Sequence, residues 1–185
     1  MKHIKLFEQW LNEKDGDSYD AGCVMLYFDF PEMKEIQNRI SKDDLYTESG
    51  DRTFGFEDEP HVTILYGIHS EEVPDEAVME IASRVQFSSL TLYKITAFKN
   101  ENYEVLKFDV DGNGLRESNR NLIENVPYTS SFPDYHPHCT IAYLKPGTAQ
   151  KYIDAMGDVK HIVMPTQLVY SKPSGEKVFK SVIIQ

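Results

Sequence analysis

His61-Val62-Thr63-Ile64-Leu65-Tyr66 returns in the second half of the chain as His138-Cys139-Thr140-Ile141-Ala142-Tyr143, with four of the six positions identical. A turn-forming proline precedes each histidine, Glu59-Pro60 in the first copy and Pro137 in the second. Val, Ile, Thr and Tyr favour extended backbone, so each copy predicts a β-strand that opens just after a turn. Residues i and i+2 of a strand share a face. His61 and Thr63 therefore point one way, as do His138 and Thr140, and Val62, Ile64, Tyr66, Cys139, Ile141 and Tyr143 are expected on the opposite, core side. One His-x-Thr carries little information, since a solvent-facing strand accepts any polar pair. Two copies within a wider repeat carry more: Leu26-Tyr27-Phe28-Asp29-Phe30 resembles Leu106-Lys107-Phe108-Asp109-Val110, and each leads through a helix-like segment to its His strand. Folded as a pseudo-symmetric pair, the two strands bring two imidazoles and two hydroxyls to one cleft.

The chain in order supports an α+β class. A strand over Gly22 to Phe30 is followed by a helix through Ile40, with Pro31 in its first turn. Residues 41–60 hold seven acidic and two basic side chains, a long solvated loop of the kind that serves as a lid. Pro74 to Arg84 predicts a helix with Ala77, Val78, Ile81 and Ala82 on one face. Strands over Ser88–Phe98 and Tyr103–Val110, a helix from the Asp111-Gly112-Asn113-Gly114 turn to about Asn125, a helix near Thr148–Met156 and two terminal strands complete the reading. That turn lacks the remaining ligand spacing and the terminal Glu of a calcium loop. Residues 1–20 stand apart as an N-terminal helix or leader, with Ile4, Leu6, Phe7, Trp10 and Leu11 on one face. The rest, 21–185, reads as one domain of two pseudo-repeat halves, about 21–98 and 99–185.

Composition narrows the partners. At 185 residues and 41% hydrophobic content the chain suits one domain or two small lobes sharing a core. No apolar run has the length of a membrane span or signal-peptide core, so no membrane partner is expected. Cys23 and Cys139 lie in apolar strand segments and are read as buried thiols of a reducing compartment. Cys139 faces away from the site and is not a nucleophile. The net charge of −11 lacks the basic footprint by which proteins grip long nucleic acids.

The paired His-x-Thr strands resemble those of the 2H phosphoesterase superfamily, which includes the LigT-type RNA 2′,3′-cyclic phosphodiesterases and the phage anti-CBASS nucleases that destroy cyclic-nucleotide signals. The resemblance runs from about Ala21 to the C-terminus, including the closing hairpin Leu168–Phe179. It implies a duplicated two-lobed fold, with antiparallel sheets around a central cleft and helices outside. Met1 to Glu13 resembles the capsid-targeting leaders of T-even-like phages, with Leu11-Asn12-Glu13 as the cleavage sequence. A protein so led would be packaged in the virion and act in the bacterial cytoplasm.

The chemistry expected of the site needs no metal and no cofactor. Two imidazoles that titrate near pH 6.5 can divide the roles of general base and general acid. Thr63 and Thr140 can donate hydroxyl hydrogen bonds to the oxygens of a phosphate as charge builds there. A ribose 2′-OH can supply the nucleophile. The sequence leaves open which histidine is the base. His136, beside Pro137, is read as peripheral and His69 as a surface loop residue. His61, His136 and His138 as a zinc set would leave the paired threonines unexplained. Tyr27 is a candidate to stack on a base, and Glu176 a candidate substrate contact by family analogy. The expected substrate is a small cyclic di- or trinucleotide whose cleavage counters host antiphage signalling. The alternatives are 2′,3′-cyclic ends of RNA, or a sponge that binds without cleaving. Oligomeric state is left open.

Overall fold

The computed structural model describes residues 21–49, 54–130, 134–182 and 184. The expected leader, residues 1–20, lies outside them. Eight strands form two four-stranded antiparallel sheets. The first has the order β2 (His61–His69), β1 (Ala21–Phe28), β7 (Pro165–Ser171), β8 (Lys177–Ser181). The second has the order β5 (His138–Leu144), β4 (Glu104–Asp111), β3 (Leu90–Lys99), β6 (Lys160–Val163). The helices are α1 (Met33–Gln37), α2 (Asp75–Ala82), α3 (Leu115–Asn125) and α4 (Ala149–Met156). The α+β class and the paired antiparallel sheets agree with the sequence reading.

Each sheet holds one copy of the repeat at one edge, β1–α1–β2 in the first and β4–α3–β5 in the second. Its third strand comes from elsewhere: β3 follows the first copy but joins the second sheet, and β7 follows the second copy but joins the first. One apolar core binds both sheets to the helices through residues such as Leu26, Ile64, Val78, Leu106, Leu122 and Ile141. Helix α1 is shorter than expected. Met33, Ile36 and Gln37 are its buried residues, the i, i+3, i+4 stripe of an inward face.

The acidic loop, read as solvated, is bound to a sheet edge where it is described. Its described parts run along the outer edge of β5: Tyr46 N–H donates to Tyr143 O (3.0 Å), Tyr143 N–H to Gly55 O (2.7 Å) and Glu57 N–H to Ile141 O (3.1 Å). An edge strand presents unpaired backbone groups that must find partners, and this segment supplies them. The outer edge of β2 is covered in the same way by the segment after α3, with His69 N–H to Pro127 O (3.0 Å) and Thr129 N–H to Gly67 O (2.9 Å). Gly67 has φ +94°, and a Cβ there would lie 1.9 Å from Thr129 O. Only glycine suits that crossing. The segment before each His strand thus covers the edge of the other His strand.

Candidate active site

The register of each His strand shows an irregularity at the same motif position, and β2 has a second at Gly67. Thr63 pairs with Met25 and Leu65 with Val24, so Ile64 is an extra residue. Thr140 pairs with Lys107 and Ala142 with Leu106, so Ile141 is its counterpart. A β-bulge of this kind shifts the alternation by one. His61 and Thr63 share a face, as do His138 and Thr140, but beyond the bulge Tyr66 and Tyr143 return to that same face. Their expected place on the core side is corrected by this insertion. Tyr66 joins Cys23, Met25, Val169 and Tyr27, and Tyr143 joins Tyr103, Val105 and Phe98. The two repeats also superpose two residues away from where their sequences suggest. His61 faces Tyr27 and His138 faces Asp109, so Tyr27 corresponds to Asp109 and Met25 to Lys107.

Both bulges are held from the opposite repeat. Asn119 of α3 donates through Nδ2 to the Ile64 carbonyl (2.7 Å). Gln37 of α1 donates through Nε2 to the Ile141 carbonyl (3.1 Å) and the Glu57 carbonyl (2.7 Å). Both amides are buried. Asn119 gives the Ile64 carbonyl a buried donor, and Gln37 adds a second donor to the Ile141 carbonyl beside Glu57 N–H.

The two imidazoles are anchored alike. His61 Nδ1 lies 2.7 Å from the Glu59 carbonyl and His138 Nδ1 lies 2.8 Å from the His136 carbonyl. A carbonyl can only accept, so Nδ1 carries the proton in each ring and Nε2 is the nitrogen left for chemistry. Burial pushes the pKa of His138 down to about 4, with the Lys107 ammonium and the His61 ring acting in the same direction. His138 is therefore neutral at physiological pH and able to accept a proton.

Around His61, the Tyr27 ring stacks at 5.4 Å between centroids. Burial and the nearby Glu59 raise the Tyr27 pKa and keep its phenol protonated. Lys177 of β8 donates to the Tyr27 hydroxyl (3.1 Å) and pairs with Glu59 (2.9 Å). Glu176 pairs with Lys172 (2.8 Å) in the β7–β8 turn. Its neighbour Lys177 reaches the histidine side, and strand alternation in that hairpin was the signal that could have singled it out. Around His138, Phe98 packs edge-on at 4.9 Å. A cavity of about 140 Å³ is lined by Thr63, Tyr66, Phe98, Tyr128, Tyr135 and His138, among others. That volume suits a single aromatic ring. His136 also lines it. His69 is the last residue of β2 and contacts Glu72 (3.0 Å) and Thr129 (2.8 Å). Cys139 is buried on the core side with its thiol pKa raised by that burial. Among the described residues, no three His, Cys, Asp or Glu side chains form a metal-ligand cluster, and no helix is long and apolar enough to cross a membrane.

A sequence model of the 2′-5′ RNA ligase superfamily matches residues 30–162. No curated protein sequence matches the chain. Among solved structures, the chain is similar to Usb1 of Kluyveromyces marxianus, at 10% identity and a TM-score of 0.57, over 89% of this chain and 99% of that one. The same yeast protein with uridine monophosphate aligns at 8% identity and a TM-score of 0.57, over 90% and 100% of the two chains. E. coli LigT complexed with ATP aligns at 16% identity and a TM-score of 0.48, over 89% and 99%.

Proposed function

The chain belongs to the 2′-5′ RNA ligase superfamily, the 2H phosphoesterases, and from that membership we propose that it is a metal-independent phosphodiesterase acting on small cyclic nucleotides. The observation that carries the reading is the matched pair of strands. Each presents an imidazole with Nδ1 fixed by the carbonyl two residues before it, and a threonine one strand period on. At a 3′–5′ linkage, His138 Nε2 takes the proton of the 2′-OH, O2′ attacks phosphorus, and the P–O5′ bond breaks. His61 gives a proton to the departing O5′, leaving a 2′,3′-cyclic phosphate. Thr63 and Thr140 donate to the non-bridging oxygens, where charge accumulates. Water opens the cyclic product with the proton transfers reversed.

A cyclic di- or trinucleotide signal, destroyed to counter host antiphage signalling, suits this frame better than a long polymer. The charge of −11 repels a polyanion most strongly at low salt. The tyrosine-lined cavity beside His138 and Thr63 suits a nucleobase. The test is incubation with cyclic di- and trinucleotides, their 2′-deoxy counterparts, 2′,3′-cyclic mononucleotides and RNA ends, all in EDTA, followed by mass spectrometry. We expect cleavage of cyclic ribonucleotides and binding without cleavage of the deoxy compounds. Activity confined to RNA ends would overturn the substrate assignment, binding without any product would reveal a sponge, and activity restored only by zinc would overturn the metal-independent mechanism.

A further inference from the structure

Two identical imidazoles in a pseudo-symmetric cleft have no built-in direction for a proton. The structure departs from symmetry at the two positions that face the motifs. Opposite Thr63 and His61 stand Met25 and Tyr27, whereas opposite Thr140 and His138 stand Lys107 and Asp109. The Lys107 side chain is only 6% exposed, a burial that lysine tolerates only when its charge is met. Its ammonium donates to Thr96 Oγ1 (2.7 Å) and pairs with Asp109, and Thr96 in turn donates to Asp109 (3.0 Å). The ammonium also lies 4.4 Å from the centroid of Phe98, the ring that packs against His138.

Building on the phosphodiesterase reading, we propose that Lys107 is a positioning residue that biases the direction of proton transfer. Fixed by Thr96 and Asp109 beside Phe98, its ammonium adds to burial in disfavouring the His138 imidazolium, so that His138 accepts and His61 donates. A like charge held nearby disfavours the imidazolium. Among the described residues, the charged or titratable groups around His138 are Lys107 and Asp109 on β4, His61 on β2, and Tyr66, Tyr128, Asp134, Tyr135 and His136, which line the same cavity. Strand β3 faces it with uncharged Phe98. Burial is the largest influence against the His138 imidazolium, the His136 carbonyl opposes it, and Lys107 acts in the same direction as burial while Asp109 acts against it. On the other side no ammonium is lodged opposite Thr63. The lysine there, Lys177, is tied to Glu59 and lies 5.4 Å from the Tyr27 ring centroid.

The test pairs an NMR titration of the His138 ring with the pH dependence of kcat/KM. In K107M, which places the residue of position 25 in the second repeat, the titration and the acid limb of the rate profile should rise together by about one pH unit. The double variant K107M/D109N leaves no unpaired buried carboxylate, should fold where the single variant fails, and should also move both upward. K107R keeps the charge and should keep both near wild type. An unchanged His138 titration in K107M and in the double variant overturns the proposal while leaving the phosphodiesterase reading intact. A wild-type protein that cleaves no phosphodiester overturns that reading instead, and the NMR titration still decides whether Lys107 governs His138.

Discussion

His61 and His138 were legible in the sequence as two partners because a strand repeats every second residue, and any fold that buried Val62 or Cys139 had to turn the imidazoles the other way. Replacing either histidine by alanine should lower kcat by a hundredfold or more, about the contribution of one general acid or base, with the fold retained by circular dichroism. The double variant should be little worse than either single one, since the pair acts as a unit. Near-wild-type turnover in H61A or H138A would contradict the assignment. His138 also ties stability to pH. Its folded pKa of about 4 lies below the ordinary value near 6.5, so between those values the unfolded chain binds a proton that the folded chain refuses. This contribution is intact above about pH 6.5 and is lost as pH falls toward 4, by up to about 3 kcal/mol. Urea midpoints at pH 7 and pH 4.5 should therefore differ less in H138A than in wild type. Lys107 was not legible as a neighbour of this histidine. Its segment aligned by eye two residues out of register, and a slip of two keeps every side chain on its own face, so the apolar pattern raises no objection.

The bulges explain what periodicity misses among the elements. Strict alternation sends Tyr66 and Tyr143 to the core, but one inserted residue in each strand brings them back beside the histidines. Nothing in six residues of sequence marks Ile64 or Ile141 as the inserted one. The signal lies far away, in a buried amide on a helix of the other repeat. Asn119→Leu should leave the Ile64 carbonyl without its partner and destabilise the protein by about 1–3 kcal/mol, read from denaturant unfolding, with kcat falling more than KM rises because Thr63 is adjacent to the bulge. A variant as stable and active as wild type would show that the bulge holds itself. The attachment of the loop over residues 41–60 to β5 was not legible for a related reason. Its acidic composition spoke of solvent, but its backbone groups are those that β5 requires, and composition does not report backbone pairing.

For the whole molecule, the sheets and the sequence halves divide the chain differently. Helices α1 and α3 each hold the bulge of the other repeat, and the segment ahead of each His strand covers the edge of the other. Expressed separately, residues 21–98 would lack β7 and 99–185 would lack β3, so each should fail to show a cooperative unfolding transition. Mixed together, the two pieces should restore it along with activity. A sharp transition in either piece alone would mean that the crossed contacts are dispensable.

The exchange of third strands also bears on how the protein leaves the ribosome. Strand β1 is among the first described residues to emerge, and β2 with His61 follows soon after. The strand that pairs with the other side of β1 is β7, Pro165–Ser171, made after the whole second repeat. Until it arrives, the first sheet is a two-stranded ribbon with an open side, and such a ribbon has little stability of its own in water. The Asn119 amide that fixes its bulge arrives in the interval. Vectorial synthesis therefore cannot finish the first half and move on to the second, as it can when successive domains fold independently. His61 is translated early, but its geometry is set only after β7 has been made.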